Sequence, residues 1–97
     1  MSDVQNTAIL QANLTFYESF ETMNFPKMQA LWVKSEEVFC GHPGWEMLHG
    51  WSEVCESWRM IFQSTDFMRF KLADVVAHSR GDVGWVLAAL QAHRQLR

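Results

Sequence analysis

From Asp66 onward the apolar residues stop recurring at helical intervals and begin to alternate, and this change of period constrains the fold more than any other feature. Met68, Phe70, Leu72, Asp74, Val76 and His78 fall on one face of an extended chain, and Phe67, Arg69, Lys71, Ala73, Val75 and Ala77 on the other. Successive strand side chains point to opposite faces, so the first set is expected to face a core with Asp74 as its polar exception. Ser79-Arg80-Gly81-Asp82 is a turn signal and Val83 to Leu90 is a second apolar run, which together predict an antiparallel hairpin. Gln91 to Arg97 is open between two states: residues 88–97 are rich in helix formers, whereas Val83-Gly84-Trp85-Val86 before them favours a strand.

Upstream of that hairpin the pattern is helical. Ile9, Ala12, Phe16, Phe20 and Met23 are spaced by three and four, the stripe of an amphipathic helix that Ser2 or Asp3 could cap. Asn24-Phe25-Pro26 breaks the stripe, because proline is tolerated only in a first helical turn, and a second short helix is expected to carry Met28, Leu31 and Trp32 inward. Glu36 to Cys40 reads as a short strand stopping at Gly41, followed by the turn-rich loop Gly41-His42-Pro43-Gly44-Trp45. Val54, Cys55, Trp58, Ile61 and Phe62 then mark a third helix of about three turns, with Ser52 as its expected N-cap.

Composition narrows the class. With 97 residues, 48% apolar, the chain is expected to form one domain over residues 1–97 with one core. Eight Lys and Arg against eleven Asp and Glu give a net charge of −3 with the basic residues scattered, which argues against a nucleic-acid partner. Cys40 and Cys55 match neither a redox CxxC pair nor a zinc knuckle, so reduced thiols and a cytoplasmic setting are expected. The first residues lack the cationic start and apolar run of a signal peptide, no stretch reaches the ~20 apolar residues of a membrane span, and no membrane partner is expected. His49 and His93 have no partner at metal-ligand spacing, and no Walker, dinucleotide or Ser-His-Asp motif occurs, so neither a metal nor a cofactor is expected. Five Trp and seven Phe against one Tyr, with six Met, supply side chains that fill a core or line a pocket.

The element order, with Val38-Phe39-Cys40-Gly41-His42-Pro43-Gly44-Trp45, then Leu48 and Gly50, then Val54 and Ser57-Trp58, resembles the signature of SnoaL-like domains in the NTF2-like superfamily. There a strand enters a His-Pro-Gly-Trp loop, a glycine precedes the third helix, and a Ser-Trp pair lies within it. The resemblance spans essentially the whole chain. It implies an α+β cone, with three N-terminal helices packed on a curved, mixed but mostly antiparallel sheet and a pocket on the concave face. Such domains usually continue into further strands, so this sheet is expected to be shortened at its C-terminal end. Members isomerise steroid-like molecules, cyclise polyketides, hydrolyse epoxides or simply bind ligands, and others dimerise through the sheet, so the fold does not specify the reaction.

Three residues are candidates for chemistry. His42 lies just beyond a strand, at a position similar to one from which isomerase-type relatives present a base; it could move a proton, or it could simply shape its turn. Asp74 could orient His42 from the core face, or a bulge could turn it to solvent. Tyr17 could donate a hydrogen bond to a carbonyl, or lie half-exposed beside Phe16. Trp45, Trp51, Trp58, Phe16, Met68 and Phe70 are the candidate ligand-lining set, with Trp58 most simply read as core and Trp45 and Trp51 equally readable as structural. The expectation is a small apolar or carbonyl-containing ligand, handled by binding alone or by cofactor-independent isomerase, cyclase or hydrolase chemistry. The alternative is a non-catalytic interaction module. The apolar run from Val83 to Leu90 leaves a long sheet edge, from which a homodimer through the β-sheet is expected.

Overall fold

The computed structural model describes residues 2–97, with side chains from Gln5 onward. Three helices precede a long hairpin: α1 (Ser2–Glu21), α2 (Phe25–Ala30), β1 (Phe39–Cys40), β2 (Leu48–His49), α3 (Trp51–Ser64), β3 (Thr65–Arg80) and β4 (Val83–Leu96). β1 pairs with β2 and β3 with β4, both antiparallel, in two separate two-stranded sheets. No helix among the described residues is long and apolar enough to cross a membrane.

The corner between α1 and α2 is built from backbone hydrogen bonds. Met23 adopts φ 54°, its N–H reaches Phe20 O at 3.1 Å, and the Asn24 N–H reaches back to Ser19 O at 2.8 Å. This pairing closes a helix C-terminus through one left-handed residue. Asn24 then starts α2, its side chain accepting from Lys27 N at 3.0 Å, with proline in the first turn. The break expected at Asn24-Phe25-Pro26 is found there, with Asn24 as the N-cap of α2. The caps expected at Ser2 and Asp3 fall among residues whose side chains are not described.

Gly50, not Ser52, is the N-cap of α3. Its φ of 85° suits glycine, and a Cβ there would come within 2.9 Å of Glu36 Oε1. Its N–H bonds Val38 O at 2.7 Å, tying the helix start to the segment entering β1. The expected strand from Glu36 shrinks to Phe39 and Cys40, whose partner, Leu48 and His49, has too little alternation to be read from sequence.

The core lies where α1, α2, α3 and the start of β3 meet: Phe20, Met28, Val54, Trp58, Phe62 and Met68 are buried. Of the α1 stripe, Phe16, Phe20 and Met23 face it as expected, whereas Ile9 lies against Gly84 of β4 and Ala12 is exposed. Aromatic edges meet faces throughout, with Phe20 to Trp58 at 5.2 Å, Phe16 to Trp58 at 5.5 Å and Phe20 to Phe70 at 5.2 Å between centroids. Glu21 ties α1 to the hairpin by accepting the Phe70 N–H at 2.7 Å.

The long hairpin corrects the sequence reading at one residue. Ala73 pairs with Ala89 and Val76 with Leu87, so Asp74 and Val75 together oppose Ala88 in a bulge. Asp74 sits there at φ 55° and is exposed, not on the core face. The extra residue inverts the phase. Met68, Phe70 and Leu72 face inward as expected, but beyond the bulge Ala77 and Ser79 are the partly covered residues, and Val76 and His78 are exposed. Ser79 Oγ lies 3.2 Å from Asn6 Oδ1 of α1, which confirms its inward direction. Arg80 pairs with Val83 across the two-residue loop Gly81-Asp82, where Gly81 supplies φ 59°. The ambiguous residues after Leu90 continue β4 as strand to Leu96, because β3 is long enough to pair with them.

The bulge makes a direct prediction. Left-handed backbone costs an ordinary L-residue about 1–2 kcal/mol and glycine almost nothing. Asp74→Gly is expected to leave stability unchanged or raise it slightly, while the β-branched Asp74→Val lowers it by about 1–2 kcal/mol. Urea unfolding of the two variants measures the difference; equal stabilities would contradict the strained geometry.

Candidate functional site

Two polar arrangements lie against the aromatic core, and they are distinct. The first is built around His42, in the loop that leaves β1. Its ring meets Trp58 edge-on at 4.8 Å and Trp45 at 5.1 Å, and its Nε2 lies 2.9 Å from Ser57 Oγ. Ser57 donates its single hydroxyl proton to Val54 O at 2.6 Å, so in this bond the imidazole must be the donor. Neutral His42 therefore carries its proton on Nε2, leaving Nδ1 as an acceptor 4.0 Å from Cys40 Sγ. Burial lowers the His42 pKa from 6.5 and raises that of the Cys40 thiol, so both groups are held neutral. Trp58 is 2% exposed, and its Nε1 has no hydrogen-bond partner among the described residues.

The second arrangement is an open groove of about 430 Å³ between α1, the residues following α2, and residues 84–86 of β4. Ile9, Phe16, Leu31, Trp32 and Val86 give it apolar walls, and Asn13 and Tyr17 are polar residues of its lining; the buried Trp32 Nε1 has no hydrogen-bond partner among the described residues. Tyr17 meets Phe16 and Phe70 edge-on at 5.0 and 4.9 Å, which leaves its ring one orientation. Burial raises the phenol pKa above 10.0, keeping the hydroxyl protonated and able to donate. No hydrogen bond joins that hydroxyl to another described residue.

The structure thus separates the three candidates for chemistry. Tyr17 lines the groove, His42 is pinned to Ser57 and two tryptophans, and Asp74 lies exposed in the bulge of β3. The candidate ligand-lining residues divide as well. Phe16 lines the groove, Trp58 and Met68 are core, and Phe70 packs under Tyr17 and Phe20. Trp45 borders a separate depression with Met60 and Ile61. Trp51 packs on Trp32 at 6.4 Å with Lys34 Nζ 4.6 Å from its ring, beside a charged depression that includes Glu36, Glu56 and Arg59. Among the described residues no group of three or more His, Cys, Asp or Glu side chains is placed to hold a metal ion.

Sequence reasoning missed Ser57 as the partner of His42 and residues 84–86 as a wall of the groove. The Ser57-Trp58 pair was visible, but only folding brings a residue fifteen positions away onto His42. The wall could not be read, because the bulge decides which face of β4 looks toward α1.

His42 makes stability pH-dependent in a defined direction. A folded-state pKa below the unfolded value of 6.5 means that the unfolded chain binds the proton first. The contribution is complete above pH 6.5 and is lost as pH falls from there through the folded pKa. Unfolding at pH 7.5 and pH 5 is expected to show wild-type losing stability that His42→Ala no longer loses. At pH 7.5 His42→Ala itself is expected to cost about 1–3 kcal/mol for the ring contacts and the hydrogen bond.

Comparison with known proteins adds four findings. The SnoaL-like domain family matches residues 9–96. A proposed dehydratase of the NTF2-like family from Streptomyces avermitilis superposes with a TM-score of 0.90 at 28% identity, over 99% of this chain and 81% of that one. A ketosteroid isomerase-like protein from Erwinia carotovora atroseptica superposes at 0.72 with 17% identity, over 99% of this chain and 82% of that one, a likeness of fold. In sequence, the chain is 29% identical over 79 residues to the F-box protein SKIP8 of Arabidopsis thaliana; the match covers 81% of this chain and spans 34% of that protein's length.

Proposed function

Because this chain belongs to the SnoaL-like family, within the NTF2-like fold, we propose that it binds a small, largely apolar ligand carrying a carbonyl group, in the groove between α1 and β4. The observation that carries this reading is Tyr17: a protonated phenol, held by two aromatic contacts, set in an apolar wall with no acceptor for its hydroxyl among the described residues. A ligand carbonyl would accept that hydrogen bond while its hydrocarbon body covers Phe16, Leu31 and Trp32. The same hydrogen bond would stabilise a carbonyl oxygen as negative charge develops on it, the electrostatic part of an isomerase or dehydratase reaction. The similarity to the proposed dehydratase favours that extension.

The base for such a reaction is a separate matter. His42 has its Nε2–H committed to Ser57 and does not line the groove, and Asp74 is on the exposed bulge. Ligand binding through Tyr17 is therefore the core of the proposal, and His42 acts as a structural pin for its loop.

The test uses paired ligands of equal shape. Calorimetric titration with apolar cyclic ketones and the matching hydrocarbons is expected to show tighter binding of the ketones. Tyr17→Phe should weaken ketone binding by about fivefold, the value of one neutral hydrogen bond, and leave hydrocarbon binding unchanged. Binding of neither series, or equal losses for both, would remove the groove or the phenol from the reading.

A further inference from the structure

The basic residues are scattered along the sequence, but the register of the long hairpin gathers some of them. Arg69 pairs with His93, and Lys71 pairs with Gln91. Residues two apart on a strand share a face, so these four side chains stand together on the face opposite Met68, Phe70 and Leu72. On such a grid Arg69 and Lys71 are about 7 Å apart along β3, and directly paired residues are about 5 Å apart across the ladder. All four line a shallow depression of about 450 Å³, together with Phe70 and Ala92. Phe67 orients two of them: the Arg69 guanidinium lies 5.2 Å from the centre of its ring, and the His93 ring meets it edge-on at 6.0 Å. Side chains held in this way lose part of their rotamer freedom before any ligand arrives.

The cluster carries no counter-charge of its own. No acidic residue lines the depression. Among the described residues the ion pairs are Arg59 with Glu56 and Arg97 with Asp66, so Arg69 and Lys71 are in neither. This local excess of positive charge runs against a chain whose eleven acidic residues outnumber its eight basic ones. Neighbouring cations on one sheet face repel each other, and an anion seated between them turns that repulsion into attraction. The donors also select the kind of anion. Arg69 offers a planar fork, Lys71 a point charge, and Gln91 and His93 one or more N–H groups each. A carboxylate keeps its acceptors in one plane, whereas four donors rising from two strands suit a tetrahedral group with oxygens in several directions and two negative charges.

We propose that this face of the hairpin binds a phosphate dianion, free or as a phosphate monoester, between Arg69, Lys71, Gln91 and His93. The site is built on two strands already paired with each other. It uses neither the outer edge of β4 nor the groove beside Tyr17, and it is independent of the ligand proposed there.

Amide NMR on the full 97-residue chain tests it, with inorganic phosphate and phenyl phosphate titrated at constant ionic strength. Both are expected to move the signals of residues 69–71 and 91–93 and to saturate in the millimolar range. Tighter binding of phenyl phosphate marks a monoester as the source of the group, and tighter binding of inorganic phosphate marks the free ion. Arg69→Gln should weaken binding by about tenfold and Lys71→Gln by about fivefold, through loss of charge-assisted hydrogen bonds. Lys27→Gln removes the same charge from an exposed position on α2 and should leave the affinity unchanged. Arg69 and Lys71 are exposed, so folding should survive, and unmoved signals elsewhere in the spectrum check this. Absence of saturable shifts at residues 69–71 and 91–93 overturns the proposal. So does equal weakening by Lys27→Gln, because the attraction is then one of overall charge, and so does acetate binding as tightly as phosphate, because the cluster then takes any anion.

Discussion

The edge-to-face packing of Trp58 against Phe16, Phe20 and Phe62 is the contact on which the rest of this molecule depends. It joins α1 to α3, and through Phe20 and Phe70 it reaches β3, so these three elements are registered against one indole. Each such aromatic pair adds about 0.5–1.5 kcal/mol beyond the area it buries. That is a substantial share in a chain of this size, whose whole stability is on the order of 5–15 kcal/mol. The same indole also receives the His42 ring, so the loop after β1 is anchored to the core that holds the helices.

That anchoring explains why the histidine of the His-Pro-Gly-Trp loop and the ligand groove lie apart. An imidazole that gives its Nε2–H to Ser57 and packs between two tryptophans is held in one tautomer and kept neutral by burial. Those properties fix a loop. Tyr17 is in the opposite condition: its ring is held, its hydroxyl is not engaged, and it borders open space. A preorganised donor without an internal acceptor can be used by a ligand without first breaking a protein hydrogen bond. The two groups show how one aromatic core can serve as scaffold on one side and as binding wall on the other.

Much of this was legible from spacing. The three helices, the hairpin and its turn follow from periodicities of 3.6 and 2, and the inward residues Phe20, Val54, Trp58, Phe62 and Met68 were visible because each lies on a continuous stripe. The short pairing of Phe39–Cys40 with Leu48–His49 was not, since two residues are too few to show alternation. Beyond Leu72 the strand reading kept the right element and lost the right face. A single unpaired residue at Asp74 exchanges inside for outside without changing the apolar pattern.

The amino-acid sequence by itself determined the three helices, the long hairpin and the identity of the core, because these depend on which residue types recur at which interval, and its His-Pro-Gly-Trp loop and Ser57-Trp58 pair carried the family resemblance. Only the tertiary structure decided the state of each functional group. His42 became a pin when folding brought Ser57 to its Nε2, Asp74 left the interior when a bulge at φ 55° absorbed the misfit between β3 and β4, and Tyr17 became an unused donor when α1 closed over the hairpin. The physical reason is common to all three. Local pattern specifies the side of an element on which a residue lies, whereas hydrogen bonding and burial are set by residues distant in sequence, and proton position and accessibility follow from those.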